Sequence, residues 1–116
     1  MLELLNDAER RTLDAYVEIL RDRLGERLLE VRVFGSVARG ESWPAGMPIR
    51  SDLDLLVLVA EPVAEAEEQE LVDATFPLFL ESGRQISPQF RTREQHAVSP
   101  SREAIDADAV EVWPCL

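Results

Sequence analysis

Apolar side chains recur at every third or fourth position near the start of the chain. These residues are Leu13, Tyr16, Val17, Leu20, Leu24 and Leu28. This spacing is typical of an amphipathic helix, which we expect to run from Asn6 or Asp7 to Leu28. Either Asn6 or Asp7 can cap the helix through a side-chain oxygen. Gly25 falls in the last turns, where it indicates fraying or a break.

Two later segments have the patterns of β-strands. Residues 29–34 alternate apolar and polar side chains, which predicts a strand that ends at Gly35. Residues 53–60 are almost entirely apolar and do not alternate. A strand of this kind is buried on both faces, so we expect it to lie centrally in a sheet. The prolines and glycine of residues 43–48 predict a surface loop between the two strands.

A second helix is predicted after residue 63. Its first half, residues 64–70, is acidic and should be solvated. The second half should bury its apolar side chains, and Pro77 should kink it. These apolar residues are Leu71, Val72, Phe76, Phe79 and Leu80.

The remaining residues predict three short elements. Residues 84–91 resemble a strand, and Pro88 restricts that strand to an edge or a bulge. Residues 99–106 have a capping-box pattern that begins at Ser99 or Ser101, which predicts a short helix. Residues 110–113 predict a last strand. The order helix, strand, strand, helix, strand, helix, strand indicates one α+β domain.

The composition narrows the class of protein. The chain has 116 residues, which suffices for one domain and is too short for two independent cores. Its 23 acidic and 12 basic residues give a net charge of -11, which makes nucleic acid an unfavourable partner. Apolar runs are far shorter than the ~20 residues that cross a bilayer, and the acidic start differs from a signal peptide. We therefore expect a cytoplasmic protein without a membrane segment.

Residue types exclude two further chemistries. All 12 basic residues are arginine, so the chain has no phosphate-binding loop with lysine and no Schiff-base lysine. Cys115 is the only cysteine, which excludes an intrachain disulfide and a cysteine-rich zinc site.

The end of the first predicted strand suits an anion. Gly35 has no side chain, so a phosphate can approach the backbone there. Ser36 adds a hydroxyl and an amide, and Arg39 can add charge-assisted hydrogen bonds if residues 37–40 form a helical turn. These residues suit the triphosphate tail of a nucleotide. In the plainer alternative, Arg39 pairs with Glu41 at the surface.

Two carboxylates stand at the head of the central strand. Asp52 and Asp54 are two residues apart, and strand alternation places both on one face. Adjacent carboxylates repel each other unless a cation lies between them. Mg²⁺ is the expected cation, because it combines one or two carboxylates with the phosphate oxygens of a substrate.

These residues together resemble a known motif. The Gly-Ser pair, Arg39 and the Asp-Leu-Asp triplet at residues 52–54 resemble the Gly-Ser…Asp-x-Asp motif of the DNA polymerase beta-like nucleotidyltransferase superfamily. Within it, the short chain is similar to the minimal nucleotidyltransferases (MNT), which are often encoded beside a HEPN-domain protein as antitoxin and toxin. The resemblance implies a nucleotidyltransferase fold over residues 1–116, with a small mixed β-sheet backed by helices.

The resemblance also implies a reaction and a partner. Gly35 and Ser36 would hold the nucleotide phosphates, while Asp52 and Asp54 would bind Mg²⁺ and align an acceptor hydroxyl. The implied reaction moves a nucleoside monophosphate, AMP from ATP, onto a hydroxyl of a HEPN-type partner protein. The chain would then act as the antitoxin of a toxin-antitoxin pair.

Two features depart from the family pattern. Fifteen residues separate Ser36 from Asp52, more than is usual in the family, and the loop at residues 43–48 accounts for the excess. The superfamily also has a third catalytic carboxylate on the strand after the second helix, whereas residues 82–93 contain no Asp or Glu. Glu81 or Glu94 could reach the site, although the spacing requires neither.

Three functions therefore stay open. The first is the Mg²⁺-dependent nucleotidyltransferase. The second is a catalytically silent module of the same fold that neutralises its partner by contact. Transfer to a small alcohol such as an aminoglycoside is weaker, because it normally needs an additional substrate domain.

Overall fold

The computed structural model describes residues 5–35 and 52–114. Within these ranges the chain forms five α-helices and four strands. In chain order they are α1 (Asp7–Leu24), β1 (Leu28–Phe34), β2 (Leu53–Val59), α2 (Glu65–Asp73), α3 (Thr75–Ser82), β3 (Ile86–Thr92), α4 (Arg93–Ala97), α5 (Arg102–Asp108) and β4 (Val110–Trp113). The loop predicted at residues 43–48 lies outside the described residues. None of the described helices is long and apolar enough to span a bilayer.

The four strands form one mixed sheet in the order β3-β2-β1-β4. Strand β2 is parallel to β3 and antiparallel to β1, and β4 is antiparallel to β1. The central position predicted for β2 is confirmed. The strand that contains Pro88 was predicted to lie at an edge or to carry a bulge, and it lies at an edge. An edge tolerates proline because the missing N–H is not needed by a further strand.

Helix α1 starts as its sequence predicts. The Asn6 side chain accepts the Glu9 backbone N–H at 2.8 Å, and the Glu9 side chain accepts the Asn6 backbone N–H at 2.9 Å. The helix ends at Leu24 instead of Leu28, because Gly25 adopts a φ of 56° and opens a short 3-10 turn, Gly25–Arg27. The break predicted at this glycine is confirmed.

The two faces of the sheet are covered differently. On one face, residues 53, 55, 57 and 59 of β2 lie in a large apolar core under α1. On the other face, Leu56 and Leu58 contact Ile105 of α5 in a smaller cluster. Because every apolar residue of β2 is at most 1% exposed, the predicted burial of both faces is confirmed.

Polar groups inside the α1 layer are paired. Glu9 Oε2 accepts a hydrogen bond from Arg84 Nε at 2.7 Å, and the two side chains are 0% and 5% exposed. The Tyr16 hydroxyl donates to the Leu71 carbonyl at 2.8 Å, and burial raises the pKa of Tyr16. These contacts join α1 to Arg84, two residues before β3, and to α2.

The second predicted helix is two helices, α2 and α3, which meet at Ala74. Pro77 explains the break. It has no N–H to donate, and its ring collides with the carbonyl of the residue four positions earlier, which is Asp73. The chain therefore breaks one turn before the proline.

The prediction that the second half of this helix buries its apolar side chains is wrong for Val72, Phe76 and Leu80. They are 37%, 59% and 68% exposed. Leu71, Thr75 and Leu78 occupy the inward face instead. The helix is therefore turned so that part of its apolar surface faces solvent.

The last elements agree with the sequence only in part. Strand β4 lies where it was predicted, but helix α4 was not predicted. Its start is a capping box in which the Thr92 hydroxyl accepts the Gln95 backbone N–H at 3.1 Å. The capping box predicted at Ser99 or Ser101 is wrong, because Ser101 precedes α5 without a side-chain cap bond.

Candidate functional site

Gly35 ends β1 beside the carboxylate of Asp54. The preceding residue, Phe34, is the strand partner of Asp54. Gly35 has a φ of 83°, and a Cβ built on it would lie 2.5 Å from Asp54 Oδ2. A side chain here would therefore be strained and would displace the carboxylate. Glycine is required because the backbone and the acid approach each other so closely.

The two acids of the Asp-x-Asp motif stand at the head of β2. Asp52 is exposed and immediately precedes the strand, while Asp54 is half-buried within it. Asp54 shares its face with Leu56 and Leu58, so the acid lies on the α5 side of the sheet. The structure thus brings together two of the predicted site residues, Gly35 and Asp54. Ser36 and Arg39 lie outside the described residues.

The donor set at this position suits one kind of cation. Residues 5–35 and 52–114 contain no group of three or more His, Cys, Asp or Glu residues that could hold a metal. A pair of carboxylates such as Asp52 and Asp54 suits Mg²⁺, which keeps water or phosphate oxygens as its other ligands. The residues present therefore fit Mg²⁺ bound together with a nucleotide.

Strand β3 presents neutral polar groups beside Asp54. Ser87 is the direct neighbour of Asp54 in the parallel pair, and Gln89 is the neighbour of Leu56. Adjacent residues on paired strands face the same side, so both side chains lie on the α5 side. Arg91, two residues further on, donates to the Gln89 side chain at 2.8 Å. The α5 side of β3 therefore carries Ser87 and Gln89 beside Asp54, and no acid.

The register separates the two acids named as candidates for a third carboxylate. Glu94 follows the far end of β3, five strand positions beyond the neighbour of Asp54, a rise of roughly 17 Å. Glu81 is exposed in the last turn of α3, a helix that packs on α1. Neither position is on the α5 side beside Asp54.

A cavity of about 230 Å³ opens next to Gly35 between the sheet and α5. Its lining consists of Phe34, Gly35, Gln89, Ser101, Ala104, Ile105 and Asp108. Asp108 is the acid that the sequence reasoning missed. A signal for it exists, since Asp108 lies three residues after the buried Ile105 and so shares the inward face of α5.

A second group of charges lies on the same side of the sheet, further along β2. His96 is 7% exposed, and its Nε2 lies 2.8 Å from Asp106 Oδ1. That hydrogen bond, helped by Arg32 and Arg102 and opposed by partial burial, holds the pKa of Asp106 below its usual range. His96, to which the sequence assigned no role, therefore links α4 to α5.

Comparison with known proteins identifies the fold and the family. A family model described as a nucleotidyltransferase domain matches residues 13–109. A protein classed as a minimal nucleotidyltransferase has a similar structure, with a TM-score of 0.55 and 29% identity, over 90% of this chain and 95% of that chain. No curated protein matches the chain.

Two toxin-antitoxin structures share the fold at lower identity. One contains AMP-PNP and matches with a TM-score of 0.60 and 17% identity, over 88% of this chain and 73% of that chain. The other is a tri-AMPylated HEPN toxin from Shewanella oneidensis in complex with an MNT antitoxin. It matches with a TM-score of 0.57 and 15% identity, over 91% of this chain and 72% of that chain. These structures share the fold of this chain. Because the family model matches residues 13–109, most of its length, the chain belongs to the family of nucleotidyltransferase domains.

Proposed function

We propose that this chain transfers AMP from ATP onto a hydroxyl of a HEPN-type partner protein and so acts as its antitoxin. The observation that carries the proposal is the approach of the Gly35 backbone to the Asp54 carboxylate, where a Cβ would stand 2.5 Å from Oδ2. A backbone without a side chain lets a phosphate approach closely. The adjacent carboxylate can bind the cation that accompanies the phosphate. A structure that matches the fold of this chain contains an AMPylated HEPN toxin in complex with an MNT antitoxin, which supports this choice of reaction.

Each proposed residue has one task. Gly35 and Ser36 bind the phosphates through backbone amides and a hydroxyl, and Arg39 balances phosphate charge. Asp52 and Asp54 hold Mg²⁺, which when bound neutralises phosphate charge and orients the oxygens. In the reaction the acceptor oxygen forms a bond to the α-phosphorus, and the bond from that phosphorus to the bridging oxygen breaks. Pyrophosphate leaves.

The acceptor hydroxyl must also lose a proton. Strand β3 offers no acid for this purpose, because Ser87 and Gln89 occupy its face beside Asp54. Asp108 lines the cavity next to Gly35 and is the acid among the described residues of that lining. We therefore include Asp108 in the proposal as the group that receives the proton, a role that requires it to reach the acceptor oxygen directly or through one water.

The silent binding module remains the second candidate, and a specific observation favours it. No acid occupies the β3 face, so Mg²⁺ would have two strand carboxylates instead of three. Such a module would bind the partner through its surface and would need no nucleotide.

Label transfer separates the two functions. The co-purified complex is incubated with Mg²⁺ and ATP labelled at the α-phosphate, and label on the partner is measured. We expect labelling by wild type, loss of labelling in Asp54→Asn and Asp108→Asn, and no change in the matched surface control Asp22→Asn. The complex should persist in all four proteins.

Calorimetry tests the nucleotide site without the partner. Mg²⁺-ATP should bind to wild type and Asp108→Asn but more weakly to Asp52→Asn/Asp54→Asn. Unchanged affinity in that double variant would rule out the proposed metal site. An unlabelled partner whose toxicity is still suppressed by wild type and Asp54→Asn alike would establish the silent module.

A further inference from the structure

Three large apolar side chains are exposed in a row on α2 and α3. Val72, Phe76 and Leu80 are 37%, 59% and 68% exposed and are spaced four residues apart. Ala74 joins the two helices with αR angles, φ -64° and ψ -15°, so the three side chains follow one another along one side. We refer to Val72, Phe76 and Leu80 as the α2-α3 ridge.

Folding does not account for this ridge. The inward face of the two helices is already formed by Leu71, Thr75 and Leu78, which are 0%, 3% and 8% exposed. Polar residues on the outward side would cost nothing in core packing. Contiguous exposed apolar side chains rimmed by polar residues are instead typical of protein interaction sites.

Every charged residue in the segment that carries the ridge is acidic. Residues 61–83 contain seven acids and no Arg, Lys or His. Glu67 and Glu70 form salt bridges with Arg27 and Arg23 of the α1 layer. The other five acids form no salt bridge within the described ranges. They are Glu61, Glu65, Glu68, Asp73 and Glu81.

The acids follow the ridge closely. Asp73 and Glu81 are the direct neighbours of Val72 and Leu80 in the chain. Glu65 and Glu68 lie seven and four residues before Val72, so they continue the same side of the helix toward its start. The surface is therefore an apolar centre with an acidic rim.

We infer that the α2-α3 ridge is the docking surface for the partner protein of the proposed function, which binds through an apolar segment flanked by Arg or Lys. Charge selects this occupant. A second copy of this chain would bring its own acidic rim against the first, and nucleic acid or an anionic membrane would be repelled in the same way. A basic apolar protein segment meets attraction at the rim and buries apolar surface at the centre.

The position of the ridge agrees with the proposed function. Helix α3 ends at Ser82, shortly before Ile86, which pairs with Leu53 at the head of β2. The ridge thus leads to the end of the sheet where Asp52 and Asp54 stand. Because α3 packs on the α1 side, a partner docked on the ridge leaves the α5 side open for nucleotide.

Affinity for the partner tests the apolar centre. The probe is a HEPN-domain protein of the source organism, the partner class of the proposed function, co-expressed with this chain and then titrated in purified form. Phe76→Asp/Leu80→Asp should weaken binding by at least about tenfold, because each substitution places a carboxylate in the apolar centre of the interface. Val98→Asp is the matched control, since Val98 is 83% exposed in the turn after α4 and should not alter binding.

Charge reversal tests the acidic rim. Asp73→Arg/Glu81→Arg should weaken binding and flatten its dependence on salt, whereas Glu103→Arg on the exposed side of α5 should do neither. Thermal melts should stay unchanged in every variant, because all the replaced side chains are solvent-exposed.

The outcomes separate this inference from the proposed function. The inference that the α2-α3 ridge binds the partner is overturned by unchanged affinity in Phe76→Asp/Leu80→Asp. It is also overturned if the HEPN-domain protein does not bind wild type. A dimer of the free chain that the same variant abolishes assigns the ridge to self-association and overturns it too. Mg²⁺-ATP binding is measured in parallel and should be unaffected by ridge variants. If wild type binds no nucleotide while ridge variants lose the partner, the transfer reaction fails and the docking surface stands.

Discussion

The apolar residues of β2 are equally buried on both faces, yet the two faces differ in what surrounds them. Toward α1, the strand contributes to a large apolar core in which even the polar groups, such as Glu9 and Arg84, are paired. Toward α5, only Leu56 and Leu58 pack against a helix, and the rest of the face is Asp54, a cavity and charged groups. Because the large apolar core lies on the α1 side, the α5 side can carry polar groups and a cavity.

Similar substitutions on the two faces should therefore differ in how much they destabilise the fold. On the α1 side a buried group is enclosed by closely packed side chains and has little room to move. On the α5 side polar replacements meet solvent, the cavity or other polar groups. Each of the following predictions sets one face, or one environment, against the other.

The largest contrast is expected between neighbouring positions of β3. Ile86 is 1% exposed in the α1-side core, so Ile86→Asp should cost more than about 4 kcal/mol by burying an unpaired charge. Ser87→Asp points to the other face beside Asp54 and should cost less than about 1 kcal/mol. Urea midpoints measure both. Increased label transfer by Ser87→Asp would show that an acid is limiting there, and equal destabilisation would contradict the assignment of faces.

The buried ion pair should come next. Glu9→Gln leaves the Arg84 guanidinium without the Glu9 charge in a site where both side chains are at most 5% exposed, and should cost about 3–5 kcal/mol. The control is Glu18→Gln, which removes an exposed salt bridge of the same 2.7 Å length to Arg21 and should cost less than about 0.5 kcal/mol. Denaturant unfolding at pH 7 measures the loss of unfolding free energy in both variants. Similar losses would contradict the argument that burial makes the Glu9–Arg84 pair important.

Adjacent leucines of β2 test the two faces directly. Leu55 and Leu56 are both 0% exposed. Leu55→Ala opens a void in the large core and should cost about 3–5 kcal/mol. Leu56→Ala opens a void in the small cluster, where the neighbouring side chains can move into it more easily, and should cost about 2–3 kcal/mol. Urea unfolding of both variants gives the difference. The reverse order would show that the α5-side cluster is the more rigid of the two.

Two glycines with similar positive φ angles allow backbone strain to be distinguished from a role in nucleotide binding. Gly35 and Gly83 have φ of 83° and 76°, but only Gly35 would place a Cβ against another group, the Asp54 carboxylate. Both alanine variants should lose about 1–2 kcal/mol through backbone strain. Gly35→Ala should also weaken Mg²⁺-ATP binding in calorimetry, and Gly83→Ala should not. Equal nucleotide affinities would remove Gly35 from the site.

The smallest expected effect depends on pH. Because the folded-state pKa of Asp106 is lowered mainly by the His96 hydrogen bond, its contribution is present above the unfolded-state pKa of about 4 and is lost as pH falls through the lower folded value. Asp106→Asn should therefore destabilise slightly at pH 7 and converge with wild type below about pH 4. Urea midpoints from pH 7 to pH 3 test this. A gap that widens on acidification would contradict the sign.

Local pattern alone determined most of the elements. The spacing of apolar residues predicted α1, the apolar run predicted β2 as a central strand, and Pro88 predicted an edge. These predictions succeeded because each depends on neighbours a few residues away. The Gly-Ser and Asp-x-Asp motif also indicated the family from the sequence, since close approach to phosphate and paired carboxylates require particular residue types at particular spacings.

Tertiary structure decided what pattern could not. The sequence predicted burial for Phe76 and Leu80, but which side of a helix is covered depends on the elements that pack against it, and these are distant in the chain. Asp108 comes near Gly35 only because α5 folds back over the sheet, 73 residues after that glycine. Apolar periodicity fixes which residues can share a face, whereas long-range packing fixes whether that face becomes core, cavity or exposed surface.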